Sequence, residues 1–335
     1  MHGSRLVEGI LAGAGTAMIE RPRIDEIERA AERLRGVAVH TPLLPLRDFD
    51  GHPQILLKPE ILQPVTSFKI RGVYHAVACM SDATRARGLS TVSAGNTAQA
   101  LSWTGRRFGV PARSIMPRSA PATKIDAVRR LGGEPVLVPT EEVFRFLRER
   151  LWEDEPYAFV HPWIDRDLIL GHGTIGLEIA QDLPDVETVY VPVGGGGLIC
   201  GVASALKALV PSVRVVAVEP AGCPALHEAL RRGEPVEVEC RTMCDGVAVP
   251  YITEQVFALA RELVDEVVLV SEEDVRAGVR RLALGNRMVA EGSAALPVAA
   301  ALAAPVAARG LSVCVVTGGS IDTAKLCEIL ADAES

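Results

Sequence analysis

The chain has 335 residues, 48% of them hydrophobic and 23% charged, an ordinary globular balance that excludes wholesale disorder. Forty-two acidic residues against 35 basic ones give a formal charge of −7, which argues against a nucleic-acid-binding protein. At about 100–200 residues per domain, the length leaves room for two. Residues 9–19 are only mildly apolar, Glu8 lies beside them, and no small-residue cleavage site follows, so a loosely docked leader is expected rather than a secretory signal.

Ile24, Ile27, Ala31 and Leu34 recur at helical spacing after Pro22, and Gly36 closes the run. His40-Thr41-Pro42-Leu43 reads as an extended approach to a short strand, Ile55-Leu56-Leu57, that ends at Lys58. The chain then alternates. Strands are predicted at 89–93, 114–116 and 136–138, each followed by a helical pattern, the last over 141–151. Further strands are predicted at 188–193, 213–218 and 311–316, the first followed by a helix to Leu209. This alternation implies parallel sheet covered by helices on both faces, with ligands bound beyond the carboxyl ends of the strands. No linker rich in Ser, Gly or Pro divides the chain, so two domains would interleave. The longest apolar stretch, 293–308, is Ala-rich, is broken by Pro297 and Pro305, and falls short of the roughly 18 residues that span a membrane. Seven scattered cysteines show no CxxC, and Cys240 and Cys244 have no partner pair at zinc spacing; reduced thiols in a cytoplasmic protein are expected.

The 30 glycines cluster at predicted strand ends. Gly194-Gly195-Gly196-Gly197 follows a strand and opens a helix, where close-approaching amides and the helix dipole favour a phosphate. The pattern is neither GxGxxG nor GxxxxGK[ST], so a dinucleotide fold and a P-loop are both disfavoured. Lys69, in Thr66-Ser67-Phe68-Lys69-Ile70-Arg71-Gly72, lies at a predicted helix start, where the positive macrodipole lowers a lysine pKa and suits a Schiff-base role. Ser93-Ala94-Gly95-Asn96-Thr97 is a strand–turn–helix start rich in donors that can take a carboxylate. Glu291-Gly292-Ser293 and Thr317-Gly318-Gly319-Ser320 complete the set.

Taken together these motifs, with Val218-Glu219-Pro220, Asp245-Gly246 and the run from His161-Pro162-Trp163 to Gly171-His172-Gly173-Thr174-Ile175-Gly176-Leu177-Glu178, resemble the fold-type II pyridoxal-phosphate enzymes, in the branch of threonine dehydratase (threonine ammonia-lyase) and serine racemase. The resemblance spans roughly residues 22–330. It implies a tryptophan synthase β-like α/β fold of two interleaved open domains with mostly parallel sheets. The large one takes residues 1–78 and 164–335 and the small one residues 79–163. It implies pyridoxal 5′-phosphate as cofactor, with Lys69 as the catalytic Schiff-base lysine that also moves the α-proton. Phe68 would pack beside the ring and Asn96 would bond its 3′-oxygen. Gly194, Gly195, Gly196, Gly197 and Leu198 would take the phosphate. Glu291 would lie against the cofactor, and Thr317 would face the pyridine nitrogen. Ser93, Ala94, Gly95, Asn96 and Thr97 would hold the substrate carboxylate. A hydroxyl at Thr317 leaves the ring neutral and a weaker electron sink, which favours prompt β-elimination from threonine or serine over transamination.

Three departures touch the substrate: Thr97 where these dehydratases often have His, Ser320 where Asn is common, and His172 where Gln is common. They leave open another 3-hydroxy amino acid, such as threo-3-hydroxyaspartate or a hydroxyectoine-pathway substrate, and β-replacement of the cysteine-synthase kind. No metal is expected: Glu219 is retained, but the later carboxylate position of cation-binding relatives is Ala225, and His161, His172 and His227 lack ligand spacing. The partners expected are a small amino-acid substrate and further copies in a homodimer or homotetramer, with no nucleic acid and no membrane. The chain ends soon after Ser320, where biosynthetic relatives carry a regulatory domain, so no isoleucine feedback is expected. Ala94 has no proton to give where serine racemases place a hydroxyl, so racemisation is demoted. Ala94→Ser is expected to raise D-serine formation from L-serine, followed by chiral chromatography; an unchanged D-serine yield would refute the role given to this position.

Overall fold

The computed structural model describes residues 18–47, 54–93 and 95–332; the N-terminal run up to residue 17, and Ala94, lie outside the described residues. The strands are β1 (Leu44–Pro45), β2 (Ile55–Pro59), β3 (Leu89–Val92), β4 (Ala112–Pro117), β5 (Glu134–Val138), β6 (Ala158–Phe159), β7 (Thr188–Pro192), β8 (Arg214–Pro220), β9 (Glu266–Val270) and β10 (Ser312–Val316). They form a six-stranded sheet in the order β1-β2-β10-β7-β8-β9 and a four-stranded sheet in the order β5-β4-β3-β6. Every pairing is parallel except β1 with β2. The chain leaves the larger sheet after β2, builds the smaller one, and returns through β7, so the second sheet is inserted into the first.

Central strands of the larger sheet are mostly apolar because both faces are covered. Val189, Val191, Val313 and Val315 pack with Ile169 and Ile175 of the helix Arg166–Asp182 and with Ile199 and Val202 of the helix Gly197–Leu209. Tyr190, Val218, Cys314 and Val316 meet Ala294, Leu296 and Val298 of the helix Gly292–Ala303 on the other face. Full burial of each such aliphatic side chain contributes about 1.5–3 kcal/mol.

The structure differs from the sequence expectations at four places. Glu266–Val270 is a strand, at the edge of the sheet and only partly buried, which hides its pattern. The helix from Thr140 stops at Arg148, because Arg150 turns into left-handed backbone at φ 57°, and a 3-10 turn, Leu151–Asp154, follows. The apolar stretch after Ser293 is not broken at Pro297: the helix runs through it to Ala303, held by burial on all sides. That burial outweighs the roughly 3 kcal/mol cost of an interior proline. Finally, the cysteines are not all free thiols. Cys223 and Cys240 are joined as a disulfide, Cα–Cα 4.3 Å apart. The loop after β8 crosses residues 240–241 there, with Arg241 N donating to Gly222 O at 2.8 Å, a tertiary crossing that spacing cannot announce. No helix among the described residues is long and apolar enough to cross a membrane.

One buried polar cluster ties the inner elements together. Arg71, in the helix Lys69–Cys79, donates Nε to Glu60 Oε2 at 2.7 Å and Nη2 to Glu60 Oε1 at 2.8 Å. It also donates to both oxygens of Glu178 at 2.6 and 2.9 Å and to Val39 O at 2.9 Å. Lys58 on β2 donates to Thr41 O at 2.6 Å and lies 2.6 Å from Glu178 Oε2. The two cations face Glu60 and Glu178, and Asp182 lies 3.9 Å from Lys58 at the more exposed edge of the cluster. Burial alone would lower the Arg71 pKa, but Glu60 and then Glu178 more than offset it, and the group is held more firmly charged than usual. Removing one partner of such a set strands the others, so Arg71→Met is expected to cost about 3–5 kcal/mol, read as a drop in the urea midpoint at constant m-value; an unchanged midpoint would show that the cluster contributes nothing.

Candidate active site

Lys69 opens its helix, and its position is fixed by backbone bonds on the residues before it. Phe68 N donates to Thr317 O at 3.0 Å, Gly319 N donates to Thr66 O at 3.0 Å, and Glu291 N donates to Gly318 O at 3.0 Å. Ser67 and Gly318 form an antiparallel bridge. Three separate motifs are thus laced into one short ladder: the lysine segment, the turn after β10 and the start of the helix Gly292–Ala303. Thr66 accepts a positive φ of 52° to make the lacing possible.

The Lys69 ammonium donates to Pro162 O at 3.2 Å and sits 5.0 Å from the Phe68 ring centre. Burial is the larger effect on it and lowers its pKa to about 8, with the Glu291 charge opposing. The cause is therefore chiefly desolvation rather than the helix dipole named from the sequence. Phe68 packs at 4.7 Å against His172, whose ring is fully buried and, with Lys69 nearby, held well below the usual histidine range. Burial likewise lowers His161 to about 3. Both imidazoles are neutral packing groups.

Pro162 leads to Trp163, and Trp163 leads to the glycine cradle. A Cβ on Gly195 would collide with the Trp163 ring, and Gly196 has φ +85° with the Val256 side chain where its Cβ would be. Only glycine fits either position. The cradle ends at the amino terminus of the helix Gly197–Leu209, with Leu198 in its first turn.

Asn96 begins the helix Asn96–Phe108 and donates Nδ2 to Glu291 Oε1 at 2.8 Å, while its Oδ1 is buried without a partner among the described residues. Burial, then the Asp245 charge, raises the Glu291 pKa to about 7. Ser93 Oγ accepts from Gly95 N at 3.2 Å, and Thr97 is buried beneath the turn. Across the cleft, Lys124 contacts Asp245, and the Lys124 ammonium lies 3.6 Å from the Cβ position of Gly95. The sequence reading missed Lys124, since a lysine in the first turn of a helix looks like any surface cation. It also gave Trp163 and Ser293 no task, yet Trp163 walls the cradle and the Ser293 hydroxyl is buried, unpartnered among the described residues, close to Gly246.

A desolvated amine and a side-chain-free cradle at a helix start suit a phosphate-bearing aldehyde, and the unpartnered Ser293 hydroxyl is a donor for a polar ring. The family model for pyridoxal-phosphate dependent enzymes matches residues 35–318. The chain belongs to that family. The enzyme is 41% identical over 306 residues to an L-threonine ammonia-lyase of Thermotoga maritima, covering 89% of this chain and 76% of the relative. Among solved structures, it is similar to the processed form of threonine deaminase isoform 2 from Solanum lycopersicum, with TM-score 0.84 and 32% identity over 96% of this chain and 99% of that one. It is also similar to maize serine racemase, with TM-score 0.85 and 28% identity over 93% and 98% of the two chains. Fold class and cofactor are as the motifs imply.

Two further clusters lie outside this cleft. Glu219 accepts from Leu226 N and His227 N, each at 2.8 Å, and so serves the start of the helix Ala225–Arg232. His75, Cys79 and Asp167 bring possible ligand atoms within 4.8 Å of one another, and the Arg33 guanidinium, 2.9 Å from His75 Nε2, supplies positive charge there.

The lowered Lys69 pKa makes a kinetic prediction. A lysine of folded pKa about 8 gains free amine as pH rises toward 8, then saturates. The rate of cofactor uptake by the apoenzyme, followed by absorbance, is expected to rise about fivefold from pH 7 to 8 and about twofold more to pH 9. A tenfold rise per unit continuing past pH 9 would mean an ordinary, solvated lysine.

Proposed function

We propose that this enzyme is an L-threonine and L-serine ammonia-lyase, removing the β-hydroxyl and the amino group to leave a 2-oxo acid and ammonia. The observation that carries the reading is the backbone bond from Phe68 N to Thr317 O, which sets the desolvated Lys69 amine one residue from a segment tied to Thr317, a residue with a hydroxyl rather than a carboxylate. When bound, pyridoxal phosphate supplies the electron sink for the pair left by the α-proton. Lys69 holds and moves that proton. The Thr317 hydroxyl would serve the ring nitrogen without protonating it, Phe68 would wall the ring, and Asn96, oriented by Glu291, would hold the ring oxygen. Gly194 to Gly197 with Leu198 would anchor the phosphate through backbone amides. Ser93, Gly95, Asn96 and Thr97 would orient the substrate carboxylate, so that the Cα–H bond faces the Lys69 amine; Ala94 belongs to the same loop by sequence. The identity to an L-threonine ammonia-lyase supports this substrate class.

A second reading, dehydration of threo-3-hydroxyaspartate, is favoured by the Lys124 ammonium beside Gly95, which could meet a second carboxylate. Asp245 already neutralises that charge, so the neutral substrates are preferred. We take residues 79–163 as the small domain, with 1–78 and 164–335 as the large one, and read the enzyme as a cytoplasmic homodimer or homotetramer. The insertion of the smaller sheet between β2 and β7 supports the division.

Keto-acid release from a panel of L-threonine, L-serine and threo-3-hydroxyaspartate tests the substrate. Activity on threonine or serine is expected, and Lys69→Ala should lower it about 10²–10⁴-fold while phosphate-cradle binding of the cofactor persists. Release of keto acid from hydroxyaspartate alone, or undiminished turnover in Lys69→Ala, would overturn the proposal.

A further inference from the structure

The helices Ala225–Arg232 and Glu254–Leu263 are joined by residues 233–253, which run irregularly apart from the 3-10 turn Asp245–Val247. Glu237 and Tyr251 form an antiparallel bridge, and Val238 N donates to Pro250 O at 2.8 Å, so the stretch between them is pinched into a loop. This loop touches both sides of the cleft. A Cβ on Gly194, the first glycine of the cradle, would lie 2.8 Å from Val247 Cα, which puts the loop backbone directly against the cradle. Asp245 pairs with Lys124, and Glu237 pairs with Arg148; both cations stand on helices of the inserted smaller-sheet unit.

On the side of the larger sheet the loop is tied covalently, through Cys240 to Cys223 in the turn after β8. Two hydrogen bonds assist, from Arg241 N to Gly222 O at 2.8 Å and from Met243 N to Glu272 Oε2 at 2.9 Å. The two ion pairs are partly exposed and hold weakly. The disulfide is therefore the firmest tie on a loop that lies against the phosphate seat. Disulfides of cytosolic proteins are mostly transient or redox-sensing.

Cys223 is 1% exposed and Cys240 is half-buried, so a dithiol reaches Cys240 first. Its thiolate attacks the Cys240 sulfur, the bond to Cys223 breaks, and the electron pair leaves on the Cys223 sulfur. The second thiol then resolves the mixed disulfide. The dithiol is oxidised to its own disulfide, the enzyme gains two electrons, and the two protons end on Cys223 and Cys240. Val249 O lies 3.5 Å from the Cys223 sulfur and accepts from the new thiol.

We propose that the Cys223–Cys240 disulfide is a redox switch on cofactor retention. Oxidised, it pins the loop 239–249 against the glycine cradle; reduced by a dithiol, it lets the loop lift and the cofactor leave faster. The proposal rests on the cradle as the seat of the phosphate, and not on which amino acid the enzyme consumes.

Holoenzyme, either air-oxidised or reduced with dithiothreitol and desalted without oxygen, tests it. Thiol titration in denaturant should count five free thiols in the first sample and seven in the second. Amide exchange over residues 241–249, read by mass spectrometry, is expected to be faster in the reduced enzyme. Cofactor release on dilution, followed by its visible absorbance, is expected to be about threefold to tenfold faster. Cys240→Ser should match the reduced wild type under both conditions, and any response arising from Cys79 or Cys327 would survive in that variant. Gly195→Ala, which crowds the cradle against Trp163, should speed release in either redox state; unchanged release there would remove the cradle reading and the proposal with it. Exchange and release that ignore the redox state of the wild type, or a response of the same size in Cys240→Ser, would overturn the proposal while leaving the cradle reading intact. So would seven free thiols after oxidation, or loop exchange that quickens while release stays constant.

Discussion

The bidentate grip of Arg71 on Glu60 and Glu178 is the constraint on which the cleft depends. Arg71 stands two residues after Lys69 on the same helix. Its partners come from the turn after β2 and from the helix Arg166–Asp182, and Lys58 closes the set from within β2. A buried network of this kind adds little net stability over a well-packed apolar core, and its value lies in register. A guanidinium fork satisfied on every side fixes the rotation of its helix as well as its depth. The amine is therefore aimed by charge pairs on the far side of the helix from the chemistry.

From that fixed helix the site is assembled by backbone bonds rather than by side chains. The short ladder through Thr66, Phe68, Gly318 and Glu291 needs particular carbonyls and amides but few particular residues. This is why the motifs are so short and lie so far apart in the chain. Side chains enter where charge or shape is needed: Trp163 behind the cradle, Asn96 against Glu291, Lys124 across to Asp245.

Much of the fold was legible because the central strands are almost wholly buried and therefore carry long apolar runs. The glycine clusters were legible because close packing at that strand end, by Val247, Trp163 and Val256, leaves no room for side chains at four successive positions. Legibility failed where tertiary context overrides local pattern. The edge strand at Glu266–Val270 is too exposed to carry a signature, and Pro297 sits inside a helix because everything around that helix is buried. The disulfide between Cys223 and Cys240 depends on a loop crossing that no spacing reveals. The cleft residues named from resemblance fall close together, but Lys124 and Trp163 carried no local signal and only the assembled structure gives them neighbours. Lys69 was singled out for a helix-dipole reason, whereas burial dominates its acidity.

Lys69 and Glu291 are driven toward their uncharged forms by the same burial, the amine down to about 8 and the carboxyl up to about 7. Before the cofactor is attached, the pair has a local isoelectric point between those two values. On its acid side the pair carries a surplus proton, and on its alkaline side a surplus electron pair. Around neutrality it holds one proton between two sites, and the two ways of placing that proton have the same total charge. Recognition of the phosphate rests instead on the fixed backbone dipoles of the glycine cradle, which do not titrate.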